Sequence, residues 1–325
     1  MSLAVEPTDG VDTLDRRPGD DELVAARLVA RRKPGQWISA LVALVAVAAL
    51  VHSVLTNPHF QWDVVRYFFL RPSILEGLLL TIWLTVAVVV SGYILGIGLA
   101  VMRLSRNPVL ATVSFGFVWF FRSVPPLVQL LLWSNLASLY PTLSLDVPFV
   151  HHFATIHTAH LFTALLAAYV GLTLDVAAFS AEIIRGGLLS VENGQSEAAK
   201  SLGLGKARIF WRIVLPQAMP AIVPASGNMV IGMLKATSII SVLAAHDLLH
   251  SVQLIYEQNY LIIPLLLVAT IWYIILTTVL SIGQYFVERH YARGKGGPAP
   301  RGLWEVARGS LPFAGTVRRD LAGLV

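Results

Sequence analysis

Six apolar runs, each close to twenty residues long, constrain the fold of this chain more than any other feature of its sequence. A helix needs about 20 consecutive apolar residues to cross the hydrocarbon core of a bilayer. Only 13% of the residues are charged and the mean hydropathy is +0.69, whereas a soluble chain carries about 25% charged residues. The runs cover residues 37–55, 78–102, 111–135, 162–181, 222–245 and 261–286. The sequence therefore predicts an all-α polytopic integral membrane protein with about six transmembrane helices.

The distribution of basic residues predicts how this protein lies in the membrane. Of 24 Lys and Arg residues, 20 lie in the two tails and in the segments 103–106 and 185–212, which six spans place on one face. Only Arg66 and Arg71 lie in a loop on the other face. The positive-inside rule makes the basic face cytoplasmic. We therefore interpret the net charge of +5 as a topology signal in a bacterial cell membrane, with both termini cytoplasmic, and predict no nucleic-acid partner.

A polar stretch interrupts the apolar runs at residues 182–216, here called the polar loop. Residues 194–202 contain good helix formers, with Asn193 and Ser196 as alternative N-caps. Gly203 suits the left-handed backbone position that ends many helices. Residues 206–214 alternate bases with Ile, Phe and Trp, which predicts an amphipathic segment along the membrane surface. The residues alone leave two interpretations open: a docking surface for a soluble partner, or a solvated loop with an interfacial helix.

The spacing within the polar loop resembles the EAA signature of ABC-importer permeases. That signature is E-A-A, three residues, Gly, nine residues and then I-x-L-P. This chain has Glu197, Ala198 and Ala199, then Gly203, then the run Ile213-Val214-Leu215-Pro216 in the same register. Residues 121–129, 181–187, 215–218 and 234–238 further resemble the polar amino acid (histidine/glutamine-type) uptake branch of that family. The resemblance covers roughly residues 74–290.

The resemblance implies a type I ABC-importer permease core (MetI-like) and a division of labour between subunits. Such a permease forms the translocation path for a polar amino acid. Its expected partners are an ATP-binding subunit dimer, a second permease subunit, an extracytoplasmic substrate-binding protein and membrane lipid. Two adjacent permease halves alternate between inward-facing and outward-facing forms as the ATPase pair closes. The chain has no G-x-x-x-x-G-K-[ST] motif for nucleotide phosphates, so we expect no enzyme activity or cofactor here, with ATP and Mg bound by the partner.

The resemblance also implies a domain organisation and a docking site. The ABC permease transmembrane domain is expected at 74–290, after a disordered cytoplasmic tail (1–36) and an extra transmembrane helix with an external loop (37–73). A second cytoplasmic tail is expected at 291–325. Within the polar loop, the coupling helix is expected at about 195–202. Glu197, Ala198 and Ala199 would lie at the surface that meets the ATPase, and Gly203 would end the helix.

Charged and polar residues within the apolar runs are candidates for the substrate path, because ionisable groups are costly inside a membrane. Arg122 precedes Pro125 and Pro126, with Gln129 on the same face, and could meet a substrate carboxylate or extend to the lipid headgroups. Lys235 could line the path or pair with an acid, and Asp175 is the obvious acid. The candidate substrate-path residues are Arg122, Gln129, Asp175, Lys235, Thr237 and Ser238.

Smaller features have simpler interpretations. Glycines in the second span (Gly92, Gly96 and Gly98) predict close helix packing. Glu182 and Arg185 are spaced for a local ion pair. Four histidines in the external loop (136–160) lack regular ligand spacing, and we predict no metal site. They are His151, His152, His157 and His160.

Two other functions compete with the importer subunit. An autonomous ion-coupled amino acid transporter or channel would use Arg122, Asp175 and Lys235 as pathway charges, but it leaves the EAA spacing unexplained. An intramembrane enzyme is disfavoured because the chain has no H-E-x-x-H motif and no serine paired with a base. The absence of cysteine excludes thiolate chemistry and disulfides. Transport without any ATPase would distinguish the autonomous transporter.

Overall fold

The computed structural model describes residues 34–147, 150–157 and 163–292, which fall into two units. The first unit ends at Phe60 and holds helix α1 (Pro34–Thr56) and a 3-10 turn (Pro58–Phe60). Residues Ile38–Thr56 are long and apolar enough to cross a membrane. This helix is apolar around its whole circumference, as expected of a membrane-spanning helix.

The second unit is a bundle of long apolar helices joined by short ones. Four more segments are long and apolar enough to cross a membrane. The two helices Pro108–Ser123 and Pro126–Ser134, with a sharp bend between them, are so when taken together. The predicted all-α membrane fold with about six spans is therefore confirmed. The helices are α2 (Trp62–Phe68), α3 (Pro72–Arg103), α4 (Pro108–Ser123), α5 (Pro126–Ser134), α6 (Leu136–Leu139), α7 (Ala164–Leu189), α8 (Asn193–Ser201), α9 (Lys206–Ile209), α10 (Leu215–Ala236), α11 (Leu248–Asn259) and α12 (Ile262–Ala292).

Helices α3 and α7 form the centre of the bundle, and glycines let them approach closely. A Cβ on Gly92 would lie 2.6 Å from the Cβ of Val176, and one on Gly96 would lie 3.0 Å from the carbonyl oxygen of Ala177. Close backbone approach of this kind is a common way for helices to associate in membranes. The predicted packing role is confirmed for Gly92 and Gly96. It is wrong for Gly98, where a Cβ would have no neighbour within 4 Å.

Uncharged polar side chains form hydrogen bonds between the same two helices. Ser91 and Thr173 share a hydrogen bond of 3.1 Å between their hydroxyl oxygens. The hydroxyl of Ser180 lies within 3.4 Å of the carbonyl oxygen of Gly92. The hydroxyl of Ser91 also donates to the Ala87 carbonyl, and that of Ser180 lies near the Ala177 carbonyl, each in the preceding turn of its own helix. Hydroxyls satisfied in this way are compatible with an apolar environment.

The loop predicted at 136–160 contains more regular structure than the sequence analysis expected. After α6, strands β1 (Thr142–Val147) and β2 (Val150–His157) pair antiparallel, with Leu145 opposite Ala154 and an irregularity in register before Val147. His151, His152 and His157 belong to β2, and His160 lies outside the described residues. The hairpin is a local exception to the helical fold.

The N-terminal end of α3, which begins at Pro72, packs against α11, α12 and α2. The indole of Trp272 stacks on Phe69 at 4.7 Å and donates to the Phe69 carbonyl oxygen at 3.0 Å. Asp247 caps α11 by accepting from the backbone amides of Leu249 and His250. Another amide of this turn, that of Leu248, donates to the buried hydroxyl of Thr81 on α3. Helix α11 is thus fixed to α3 at its first turn.

Candidate functional site

The polar loop contains a short helix with a well-formed C-terminus. Helix α8 runs from Asn193 to Ser201, close to the predicted coupling helix. The backbone of Gly203 has φ +75°, its amide donates to the Lys200 carbonyl, and the amide of Leu204 donates to the Ala199 carbonyl. This pair of bonds is a Schellman motif, which requires a left-handed residue that glycine adopts without strain. The prediction for Gly203 is confirmed.

Neither predicted N-cap of this helix is correct. The cap position is occupied by Glu192, and no side chain there accepts a hydrogen bond from the first turn. The carbonyl oxygen of Glu192 instead accepts from the Gln195 amide. Asn193 is the first residue inside the helix and Ser196 lies in its first turn, so both are past the position where a cap acts.

The exposed face of α8 differs from the expected docking face. Glu197 and Ala198 are exposed, whereas Ala199 is only 3% exposed within this chain. Helix α8 packs on the segment Lys206–Val214, where Ile209 is also buried. Ala199 therefore packs against its own chain, and contact of the three residues with an ATPase stays a prediction. Leu202, directly after α8, is 81% exposed.

The segment after the loop continues into the next span. Helix α9 passes through a π turn (Phe210–Val214) into α10, and the whole stretch Lys206–Leu243 is one span candidate. Residues 206–214 are therefore helical and continuous with α10, and their position along the membrane surface stays a prediction. Pro216 lies in the first turn of α10, where proline is tolerated. The π turn is a recognised way to absorb an irregularity in a helix.

Helices α4 and α5 form the predicted interrupted span, bent by 100° at residues 124–125. Because Pro125 has no N–H, the carbonyl of Phe121 cannot receive its usual helical hydrogen bond. The side-chain Nε2 of Gln129 donates to that carbonyl at 2.9 Å and to the carbonyl of Val124 at 2.8 Å. Gln129 is 3% exposed, and its Oε1 has no partner in the described structure. Its amide group thus supports the break.

Arg122 lies at the end of α4, beside a cavity of about 400 Å³. We call this space the arginine cavity. The Arg122 guanidinium carbon is 5.2 Å from the centre of the Phe179 ring, and that of Arg103 is 4.3 Å from the Phe115 ring. Glu182 lies on the cavity wall and binds Arg185 through two hydrogen bonds, which confirms the predicted ion pair. The lining residues are Arg103, Phe115, Val118, Trp119, Arg122, Ser123, Phe179 and Glu182.

The structure does not bring the other candidate path charges together. Asp175 is 6% exposed within α7, whereas Lys235 is exposed on α10. Among the described residues the only acid–base ion pair recorded is Glu182 with Arg185, so the proposed pairing of Asp175 with Lys235 is absent. The two side chains point into different environments, which spacing along the sequence does not predict.

The hydroxyl groups of Thr237 and Ser238 serve the backbone in this structure. Thr237 is fully buried and donates to the Leu234 carbonyl at 2.6 Å. Ser238 donates to the Lys235 carbonyl at 2.7 Å. Both bonds lie where α10 changes to a 3-10 helix (Thr237–Leu243), so the hydroxyls satisfy carbonyls at a helix end.

The partners of Arg122 are not predicted by the sequence. Phe179 and Arg103 lie far from it along the chain, yet all three line one cavity. One signal was available: Arg103 follows directly on an apolar run, and Phe179 is one helical turn before the predicted ion pair at Glu182. The missing information was the path of α4 across α3 and α7, which local sequence does not encode.

A bundle of apolar spans, one of them broken, with a short exposed helix between two spans is the architecture of an integral membrane protein with a polar surface between its spans. The chain belongs to the family described as binding-protein-dependent transport system inner membrane components, which it matches over residues 92–293. The resemblance found in the sequence is thereby confirmed.

Individual relatives agree with this assignment. The arginine transport system permease protein ArgU of Corynebacterium glutamicum is 38% identical over 81% of this chain and 82% of its own. The nopaline transport system permease protein NocM of Agrobacterium fabrum is 32% identical over 71% of this chain and 94% of its own. A crystal structure of an amino acid ABC transporter with histidines is 31% identical, with a TM-score of 0.59 over 70% of this chain and 97% of that one. An inward-facing MetNI methionine transporter, 20% identical, shares the fold.

Proposed function

We propose that this chain is the transmembrane permease subunit of an ATP-binding-cassette importer that carries an amino acid. The observation that carries the proposal is the exposed helix α8, closed by Gly203 and located between two spans of a chain from this family. The relatives named for arginine and nopaline transport support an amino acid cargo. A substrate-binding protein delivers the cargo from outside.

Helix α8 transmits the force of ATP hydrolysis in this proposal. Glu197 and Ala198 are exposed on α8 and the exposed side chain of Leu202 follows its last turn, so these three side chains are available to an ATPase subunit. ATP and Mg bind that separate subunit, since this sequence has no phosphate-binding P-loop. Two permease subunits and two ATPase subunits form the complete transporter, with the polar loop and both termini in the cytoplasm.

Within the membrane, Asp175 is the strongest candidate for contact with the cargo. It is a nearly buried carboxylate in a span and has no ion-pair partner among the described residues. A carboxylate held in this way is costly unless a cation reaches it during function. We expect Asp175→Asn to reduce uptake of arginine about tenfold or more in vesicles while leaving ATPase association intact. Equal arginine uptake by the variant and the wild type would rule Asp175 out.

The other candidate residues of the path have different roles in this proposal. They are Lys235, Thr237, Ser238 and Gln129. Lys235 is exposed and available to the path or to the second permease subunit. The remaining three shape the path indirectly, because their donor groups bind backbone carbonyls.

The deciding experiment purifies the tagged chain from native membranes and measures ATPase activity in the eluate. Glu197→Lys reverses a charge on the exposed face of α8, and Glu257→Lys is a matched control on the exposed surface of α11. We expect Glu197→Lys to lose at least about tenfold of the associated ATPase activity and Glu257→Lys to keep it. A wild-type chain that elutes without an ATPase and still transports in vesicles would establish an autonomous transporter instead.

A further inference from the structure

Arg103 and Arg122 line the arginine cavity and form no ion pair within the described part of the chain. The guanidinium of Arg185 donates to both carboxylate oxygens of Glu182. Within the described part of the chain, Arg103 contacts the Ala111 carbonyl and the Phe115 ring, and Arg122 contacts the Phe179 ring. Neither takes part in an ion pair recorded there. Three cations therefore share one anion around a cavity of about 400 Å³.

The length of α3 leads us to expect the cavity at headgroup level in the membrane. Helix α3 has 32 residues and is therefore about 48 Å long, whereas the hydrocarbon core is about 30 Å thick. Arg103 is the last residue of this helix, so we expect its guanidinium to lie beyond the hydrocarbon. Arg122 shares the cavity and lies near the same level. The polar loop follows α7 at this same end of the bundle.

The cavity walls combine charge with apolar surface. Phe115 is 50% exposed and Trp119 is 62% exposed, both on α4. Aromatic side chains are enriched at the membrane interface, where a ring meets both acyl chains and headgroups. The arginine fork fits phosphate oxygens in two parallel hydrogen bonds, and basic pockets between transmembrane helices bind phosphate-bearing headgroups.

We propose that the arginine cavity binds the phosphate headgroup of an anionic phospholipid, with Arg103 and Arg122 as its ligands. The glycerol backbone and the first methylenes of the acyl chains lie along Phe115 and Trp119. This assigns Arg122 to lipid rather than to the cargo carboxylate. Headgroup binding depends on the charges and walls of the cavity and does not require the proposed transport function.

The first test measures which lipid the purified full-length protein retains after exchange into mixed phosphatidylglycerol and phosphatidylcholine. Retained lipids are counted by mass spectrometry. We expect the wild type to prefer phosphatidylglycerol, and the double variant Arg103→Gln/Arg122→Gln to lose about tenfold of that preference. Arg122→Lys keeps the charge but loses the fork, so its preference falls by less. Arg106→Gln is the matched control, since Arg106 is an exposed arginine close to Arg103 in the sequence that does not line the cavity.

A second measurement avoids removing charge. Brominated phosphatidylglycerol quenches tryptophan fluorescence on contact, and Trp119→Phe removes the reporter in the cavity wall. We expect the quenchable fraction to fall in Trp119→Phe while lipid retention persists. A preference lost equally in Arg106→Gln, or quenching unaffected by Trp119→Phe, would overturn the proposal. Displacement of the lipid by millimolar inorganic phosphate or by arginine would also overturn it, in favour of a free-anion site or a cargo site respectively.

Discussion

At the scale of single residues, this membrane protein stabilises backbone groups that prolines leave without partners. The carbonyl of Phe121 would lack a hydrogen-bond donor if the buried side chain of Gln129 did not reach back to it. A buried acceptor left without a partner costs about 1–3 kcal/mol. A polar side chain that sequence reasoning assigned to the cargo therefore has a structural task in this state of the protein.

Replacing Gln129 tests this task directly. Gln129→Met keeps the length of the side chain but removes both hydrogen bonds to the carbonyls of Phe121 and Val124. We expect the free energy of unfolding in detergent to fall by about 1–3 kcal/mol. Gln258→Met makes the same chemical change at an exposed position and should change stability little. Equal stability of both variants would mean that the break does not need the amide.

Gly203 is a second position where one residue decides local geometry. A Cβ at Gly203 meets nothing within 4 Å, so substitution strains only the left-handed backbone. We expect Gly203→Ala to destabilise the end of α8 by about 1–2 kcal/mol and to weaken ATPase association. Gly203→Asn should recover part of the loss, because asparagine tolerates this conformation. Gly205→Ala is the control, since Gly205 has equal space and φ −68°. If Gly205→Ala were as harmful, conformation would not be the cause.

At the scale of elements, the closest interface lies between α3 and α7. The two helices meet through glycine backbone on one side and through Val176 and Ser180 on the other. Packing of this kind depends on shape, because lipid is as apolar as the helices and offers no hydrophobic driving force. Added volume at the contact should therefore be harmful, and added volume away from it harmless.

Two glycines of α3 provide a matched pair for that claim. A Cβ on Gly96 would lie 3.0 Å from the carbonyl oxygen of Ala177 and 3.1 Å from the amide nitrogen of Ala181, and it would overlap the Ser180 hydroxyl. We expect Gly96→Ala to lower the unfolding free energy by about 1–3 kcal/mol. Gly98→Ala meets open space and should be neutral or stabilising by up to about 1 kcal/mol. Adding Ser180→Ala should rescue Gly96→Ala only in part, because the backbone contacts remain. The opposite order of the two glycine variants would refute this packing.

The first turn of α11 gives the protein a pH-dependent element. Burial raises the pKa of the Asp247 carboxyl to about 6 from its ordinary 3.8. The carboxyl of Asp247 therefore binds a proton more tightly in the folded protein than in the unfolded chain. Protonation of this carboxyl stabilises the fold fully below pH 3.8, and this stabilisation is lost as pH rises to about 6. Unfolding measured across that range should show the wild type losing stability relative to Asp247→Asn. The difference between the two proteins isolates Asp247 from the neighbouring histidines. A difference that does not change with pH would contradict the assignment.

The elements differ in how far sequence predicts them, for physical reasons. Apolar length fixes the spans and local backbone preference fixes Gly203, because both depend on neighbouring residues only. The hairpin was missed although Leu143, Leu145 and Val147 alternate with polar residues, a period typical of a strand. The burial of Ala199 and the separation of Asp175 from Lys235 depend on how distant helices face one another. No local pattern carries that information.

At the scale of the whole molecule, the orientation in the membrane unites the charge pattern with the proposed function. An ATPase in the cytoplasm reaches α8 only if the polar loop is cytoplasmic. Twenty of the 24 basic residues lie on the face of that loop when six spans are assumed. Helix α11 must then lie on the extracytoplasmic side, where a substrate-binding protein would arrive.

The chain has no cysteine, so single cysteines report this orientation without a background signal. Gly194→Cys places a thiol on the exposed surface of α8, and Glu257→Cys places one on the exposed surface of α11. A membrane-impermeant maleimide applied to intact spheroplasts should label Glu257→Cys fully. It should label Gly194→Cys only after the membrane is permeabilised, because the bilayer separates the two faces. Protein denatured in detergent is the control, since both variants must then react equally. Labelling of Gly194→Cys in intact spheroplasts would invert the topology and separate the EAA helix from any cytoplasmic ATPase.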